Sequence, residues 1–335
     1  MYRNRRVRLF NTAVKTSATE VNVMIRKLNS AENYAILREA EQAGFRPHFL
    51  LQICIFVILF ILAQFVQSLA AVLFLLPSVT NLPENGNLLA EELMSGDAFM
   101  LAALFASVCV TLISLLYCRK IERRSYVSMG FSKNRAAAHY LSGLAAGAVL
   151  FSVTALICLV PGTVRFQSAG SISAGYLILF FIAYLIQGMS EEVLCRGYFM
   201  VSLAGKSSVA AAVIINSLMF SLLHFFNPNV TLLALFNIFL FGVFASVYTL
   251  VFDNIWGISA LHSAWNFTQG IIFGSNVSGT SMQTRLAVMS PDERYSIING
   301  GAFGPEGGIA MTAVYLLALS GLVYLLIRRM QRSTG

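Results

Sequence analysis

Glu191, Glu192 and Arg196 close an apolar run in which Gln187 is the one strongly polar residue between Ala174 and Met189. An ionisable group at membrane depth is costly unless it is paired or faces an internal cavity, so its presence marks a candidate functional site. Later apolar runs are interrupted by His224 and by the pair His262 and Asn266. Carboxylate and imidazole can share the proton of a water molecule. An imidazole N–H and a carboxamide N–H₂ are suitable donors to a developing negative oxygen.

The spacing of these residues is helical. Glu192 and Arg196 stand four apart with the acid first, the better order for an ion pair on one helix face. Glu191 is rotated by about 100° from Glu192 and stays outside that pair. Glu191 is therefore the candidate general base, and Glu192 the structural partner of Arg196. His262 and Asn266 are also four apart, and with Ser259, Ser263 and Gln269 they form a polar stripe that must face protein or a cavity. Phe220, one turn before His224, is expected to pack against the site; His139 has no such company and reads as a packing residue. If the helix bearing Glu191 continues to about Ala204, Glu191 lies about 20 Å from that end, His224 about 24 Å, His262 about 12 Å and Asn266 about 18 Å from theirs. A shared site in the membrane interior is then feasible.

Composition sets the elements that must position these groups. The 335 residues are 57% hydrophobic and 11% charged, too little polar surface for a water-soluble globule of this size. Runs long enough to span occur at about His48–Leu76, Ala98–Tyr117, Ala136–Val160, Ala174–Ala204, Ser208–Phe226, Asn229–Phe252, Asn254–Phe273 and Ile309–Ile327. The expected fold is all-α, a polytopic bundle of about eight transmembrane helices, since backbone groups in lipid must be satisfied internally. Nine Lys and Arg precede the first run, a second group from Arg119 to Arg135 follows the next, and Arg328, Arg329 and Arg332 close the chain. Loop Ser78–Asp97 instead carries Glu84, Glu91, Glu92 and Asp97. These counts place both termini in the cytoplasm. The net charge of +8 is a topology signal spread over several loops and argues against a nucleic-acid partner.

Residues 1–47 read as a basic cytoplasmic segment in which Val21–Ala43 could form an amphipathic helix on anionic lipid. Residues 48–335 form the membrane domain. The first apolar run is too long for a signal-peptide core, so it is expected to remain in the mature protein. Cys54, Cys109, Cys118, Cys158 and Cys195 form no CxxC pair and read as packing residues. Gly143 and Gly147 form a GxxxG, which allows close helix approach. Gln64 and Asn237 read as interhelical hydrogen-bond partners.

The segments Glu191-Glu192-Val-Leu-Cys-Arg196, Phe220-Ser-Leu-Leu-His224 and His262-Ser-Ala-Trp-Asn266 resemble the EExxxR, FxxxH and HxxxN signature of the CPBP family. That family comprises CAAX-protease-like and bacteriocin-processing (Abi) intramembrane proteases, among them the type II CAAX prenyl endopeptidase. The resemblance covers about Ile178–Phe273, and Phe303-Gly-Pro-Glu306-Gly-Gly is more loosely similar to bacterial members. It implies an intramembrane endopeptidase in which Glu191 and His224 activate water while His262 and Asn266 stabilise the oxyanion. Glu192, Arg196 and Phe220 support them. The implied partners are the lipid bilayer and a membrane-associated peptide or protein, lipidated or not, and the implied setting is the bacterial cytoplasmic membrane. No cofactor is favoured. Zinc on Glu191, His224 and His262 is the other option, against which stand the lack of an HExxH helix and the poor ligand quality of Asn266. Two further classes remain as alternatives, a proton- or cation-coupled transporter and a non-catalytic immunity or scaffold protein.

Overall fold

The computed structural model describes residues 22–80, 96–170 and 172–332. The acidic residues Glu84, Glu91 and Glu92 and the basic residues from Arg3 to Lys15 lie outside them. Among the described residues six apolar stretches fold as helices long enough to cross a bilayer. They are α3 (Phe49–Thr80), α4 (Asp97–Glu122), α5 (Ala136–Leu159), α6 (Ala174–Ala204), α8 (Leu232–Phe252) and α10 (Ile309–Arg332). Two short helices, α1 (22–29) and α2 (Ala35–Glu41), precede them. The all-α polytopic bundle is as expected, but two of the eight expected spans are short.

These two are α7 (Val209–Leu222, 14 residues) and α9 (Trp256–Phe267, 12 residues), which continues as a π-helical turn over Thr268–Ile272. The apolar run of α7 extends through Phe225 and Phe226, yet the helix ends at Leu222 and the chain turns before Asn227-Pro228. The residue before a proline is disfavoured in the helical region, so the chain must leave the helix there whatever its hydropathy. At the end of α9, Gly274 takes a positive φ of 62° and turns the chain away.

Helix α9 is the centre of the bundle. Every residue from Gly257 to Asn266 is buried, between α5 on one side and α6 on the other. Small residues make this possible. Gly143 and Gly147 of α5 lie directly against the carbonyls of Gly257 and Leu261, and Gly188 of α6 lies against the Ser263 hydroxyl. A Cβ at position 147 would overlap the Leu261 carbonyl, which belongs to helical backbone and has nowhere to go. Gly147→Val is therefore expected to destabilise the fold by about 1–3 kcal/mol, read as a lower thermal midpoint in detergent.

The loops sort into two faces. On one, Arg46 donates to Gly205 O (2.6 Å), Asn29 Oδ1 accepts from Ala210 N (3.0 Å), and Arg329 pairs with Asp253. On the other, β1 (Val164–Ser168) pairs antiparallel with β2 (Ala287–Pro291), with Phe166 opposite Met289. There Asp97 accepts from Gln283 N (2.8 Å) and Thr284 N (2.7 Å), and Asn227 Nδ2 donates to Ser278 O (3.0 Å).

The expected single helix over Val21–Ala43 is instead α1 and α2 with a break between them. Asn33 Nδ2 and Tyr34 Oη turn back onto the carbonyls of Lys27 (2.8 Å) and Leu28 (2.9 Å), which caps α1 and ends it. Ile36, Leu37 and Ala40 of α2 are buried against the protein.

Helix α6 widens to a π-helix over Val193–Met200. Two carbonyls of that stretch, Gly197 O (2.9 Å) and Tyr198 O (3.3 Å), accept from the Arg124 guanidinium. Arg124 also pairs with Glu122 (3.2 Å), whose carboxylate is held by Gln52 (3.0 Å) and Ser202 (2.8 Å). The buried charge of Arg124 is thus fully engaged.

Candidate active site

Because α6 runs unbroken from Ala174 to Ala204, its residues 187, 188, 191 and 192 face α9 at mid-helix. Glu192 and Arg196 form an ion pair of 3.0 Å with both side chains fully buried. The same carboxylate oxygen meets His262 Nδ1 at 2.9 Å. Glu192 thus has a second task besides neutralising Arg196, which is to fix the orientation of the His262 ring. Arg196 in turn lies over the Phe220 ring (4.4 Å to the centroid) and donates to Gly242 O (3.3 Å). Cation–π contact is at its strongest in such desolvated surroundings.

Glu191 stands outside that pair. It is partly exposed, accepts from Gln187 Nε2, and lies 3.8 Å from His262 Nε2. Gln187 Oε1 accepts from Asn266 Nδ2 (3.1 Å), so one carboxamide links the carboxylate on α6 to the amide on α9. His224 sits two residues past the end of α7, and its Nδ1 is 2.8 Å from Phe220 O. A carbonyl only accepts, so Nδ1 carries the proton and Nε2 of the neutral ring keeps its lone pair.

Glu191, His224, His262 and Asn266 line one cavity of about 280 Å³, together with Gln187 and Phe220. Glu192 and Arg196 lie behind its wall. The cavity reaches from mid-helix positions such as Leu194 and Val110 to Asn227, Thr280 and Met282 on the β1–β2 face. Of the polar residues read as bland, Asn237 does bond between helices: it donates to Glu306 O (2.8 Å) and accepts from Thr312 (2.6 Å). Gln64 lines the cavity instead. The polar stripe on α9 splits. His262 and Asn266 face the cavity, Ser259 and Ser263 pack inward, and Gln269 holds Glu306 (3.2 Å).

Gln187 and Glu306 line the cavity although the sequence, where both stood out, assigned neither a role at the site. Gln187 had a signal, standing four residues before Glu191 on the same helix face. Glu306 lies in the loop before α10 and reaches the cavity only through the packing of that loop. Burial pushes its carboxyl above the usual range, against the opposing pull of Ser278 N–H, Gln269 and His224.

Residues 173–268 match the family model described as Type II CAAX prenyl endopeptidase Rce1-like. The motif-bearing core is CAAX-protease-like. The match contains all three motifs, and with them the whole of α6, α7, α8 and α9. No curated protein and no solved structure matches the chain. In this CAAX-protease-like core, Glu191, His224 and His262 were the zinc set open from the sequence. Among the described residues no three His, Cys, Asp or Glu side chains converge to hold a metal ion.

Proposed function

We propose that the chain is an intramembrane endopeptidase that hydrolyses a peptide bond of a membrane-associated peptide or protein. The observation that carries this reading is the cavity itself, which the Glu191 carboxylate, the His224 and His262 imidazoles and the Asn266 carboxamide all line beside a fully buried ion pair. Water bound between Glu191 and His224 loses a proton to them as its oxygen attacks the carbonyl carbon. Glu191 takes that proton first, and His224 Nε2, with its lone pair free, can relay it to the leaving amine. Asn266 Nδ2 supplies one donor to the oxyanion. His262 Nε2 supplies the other as imidazolium, because Nδ1–H is already committed to Glu192. Gln187 holds Glu191 and Asn266 in register across the α6–α9 interface.

The CAAX-protease family supports a membrane-associated substrate. The cavity reaches the loops opposite the basic face, so the substrate segment approaches from that side of the bilayer. The test is cleavage by purified protein stripped of metal with a chelator and verified metal-free by elemental analysis. Mass spectrometry of membrane-derived peptides should show full turnover. Cleavage lost on stripping and restored by zinc would reject the metal-free route, and no cleavage of any peptide would reject the endopeptidase reading.

A further inference from the structure

Glu306 lines the cavity yet has no part in the reaction proposed above. Its side chain is more than nine-tenths buried. Three donors converge on one of its oxygens: Ser278 N (2.6 Å), Ser278 Oγ (3.1 Å) and Gln269 Nε2 (3.2 Å) all reach Oε2. Oε1 accepts no hydrogen bond from the described residues and opens to the cavity. No Lys or Arg among the described residues pairs with Glu306. Arg196, the cation on the far side of the Phe220 ring, is committed to Glu192.

A carboxylate buried without a cation is costly, and this one is fixed in orientation while one oxygen is left open. Holding the Ser278 loop does not require the charge, since a glutamine oxygen would accept the same three bonds. We infer that Glu306 is a substrate-recognition residue whose Oε1 receives a cationic nitrogen of the bound peptide: a lysine ammonium, an arginine guanidinium or a free α-amine near the scissile bond. This rests on the endopeptidase reading. An incoming cation relieves the desolvated carboxylate and gains a charge-assisted hydrogen bond at the same time. Substrates with a neutral residue at that position leave the carboxylate alone and bind more weakly.

The experiment uses full-length protein in nanodiscs and synthetic hydrophobic peptides in pairs that differ by lysine against norleucine at each position flanking the cleaved bond. The wild type should prefer lysine at one position by about tenfold to a hundredfold in kcat/KM, the range of one hydrogen bond to a charged group. In Glu306→Gln that ratio should fall to about one. A ratio that persists in Glu306→Gln, or a wild type indifferent to lysine at every position, overturns the inference. The wild-type comparison stands by itself should the variant fail to fold, with a lysine preference supporting the inference and indifference overturning it. Binding of the same pairs to Glu191→Gln separates the two readings. A lysine preference in binding, with no cleavage by the wild type, would sink the endopeptidase reading and leave the recognition role intact.

Discussion

Glu191→Gln is expected to lower peptide cleavage by about a thousandfold to ten-thousandfold, the upper range for loss of a positioned general base. Glutamine has nearly the same shape, and its carbonyl oxygen can accept the bond that Gln187 Nε2 now gives to the carboxylate. The fold should therefore persist, with an unchanged thermal midpoint and the same elution volume in detergent. What is lost is the ability to take a proton. The measurement is turnover of one defined peptide by wild type and variant at matched concentration, and retained cleavage would reject the assignment of Glu191. The same variant separates a peptidase from a transporter. A transporter would lose coupled flux and would show no peptide hydrolysis in either form.

The second large effect is on stability. Arg196→Met leaves the fully buried Glu192 carboxylate without its counter-charge and should cost about 3–5 kcal/mol. It also removes the cation over Phe220 and the donor to Gly242 O. The double variant Glu192→Leu with Arg196→Met removes both charges together and should regain most of the lost thermal stability, because apolar replacement of a buried pair is often close to neutral. Activity should stay low in the double variant, since His262 Nδ1 then has no acceptor to orient the ring. A double variant as active as wild type would show that Glu192 does nothing beyond balancing Arg196. Thermal unfolding and turnover measured on the same preparations distinguish these outcomes.

The site was legible in the sequence wherever chemistry and helical spacing coincided. The four-residue steps from Glu192 to Arg196 and from His262 to Asn266 gave faces, and α6 runs unbroken to Ala204, the continuation on which the residue count depended. Depth on α7 was misjudged because apolar composition runs on through Phe225 and Phe226, whereas helix ends are set by local backbone restrictions at Asn227-Pro228. Gly143 and Gly147 were read correctly as a close-approach pair, but the partner was not readable. It is α9, the helix that bears His262 and Asn266. The β1–β2 pairing and the arrival of Glu306 at the cavity are contacts between segments more than a hundred residues apart, or between a loop and a helix, with no periodicity to announce them.

The widened turn of α6 links the candidate site to a distant connection of the chain. Arg124, buried in the connection between α4 and α5, grips the carbonyls of Gly197 and Tyr198, the first of them adjacent to Arg196. A single guanidinium therefore ties the connection between α4 and α5 to the backbone that aims Glu192 and, through it, His262. The candidate site on α6 is in this way mechanically coupled to the connection between α4 and α5, where Arg123, Tyr126 and Val127 are exposed.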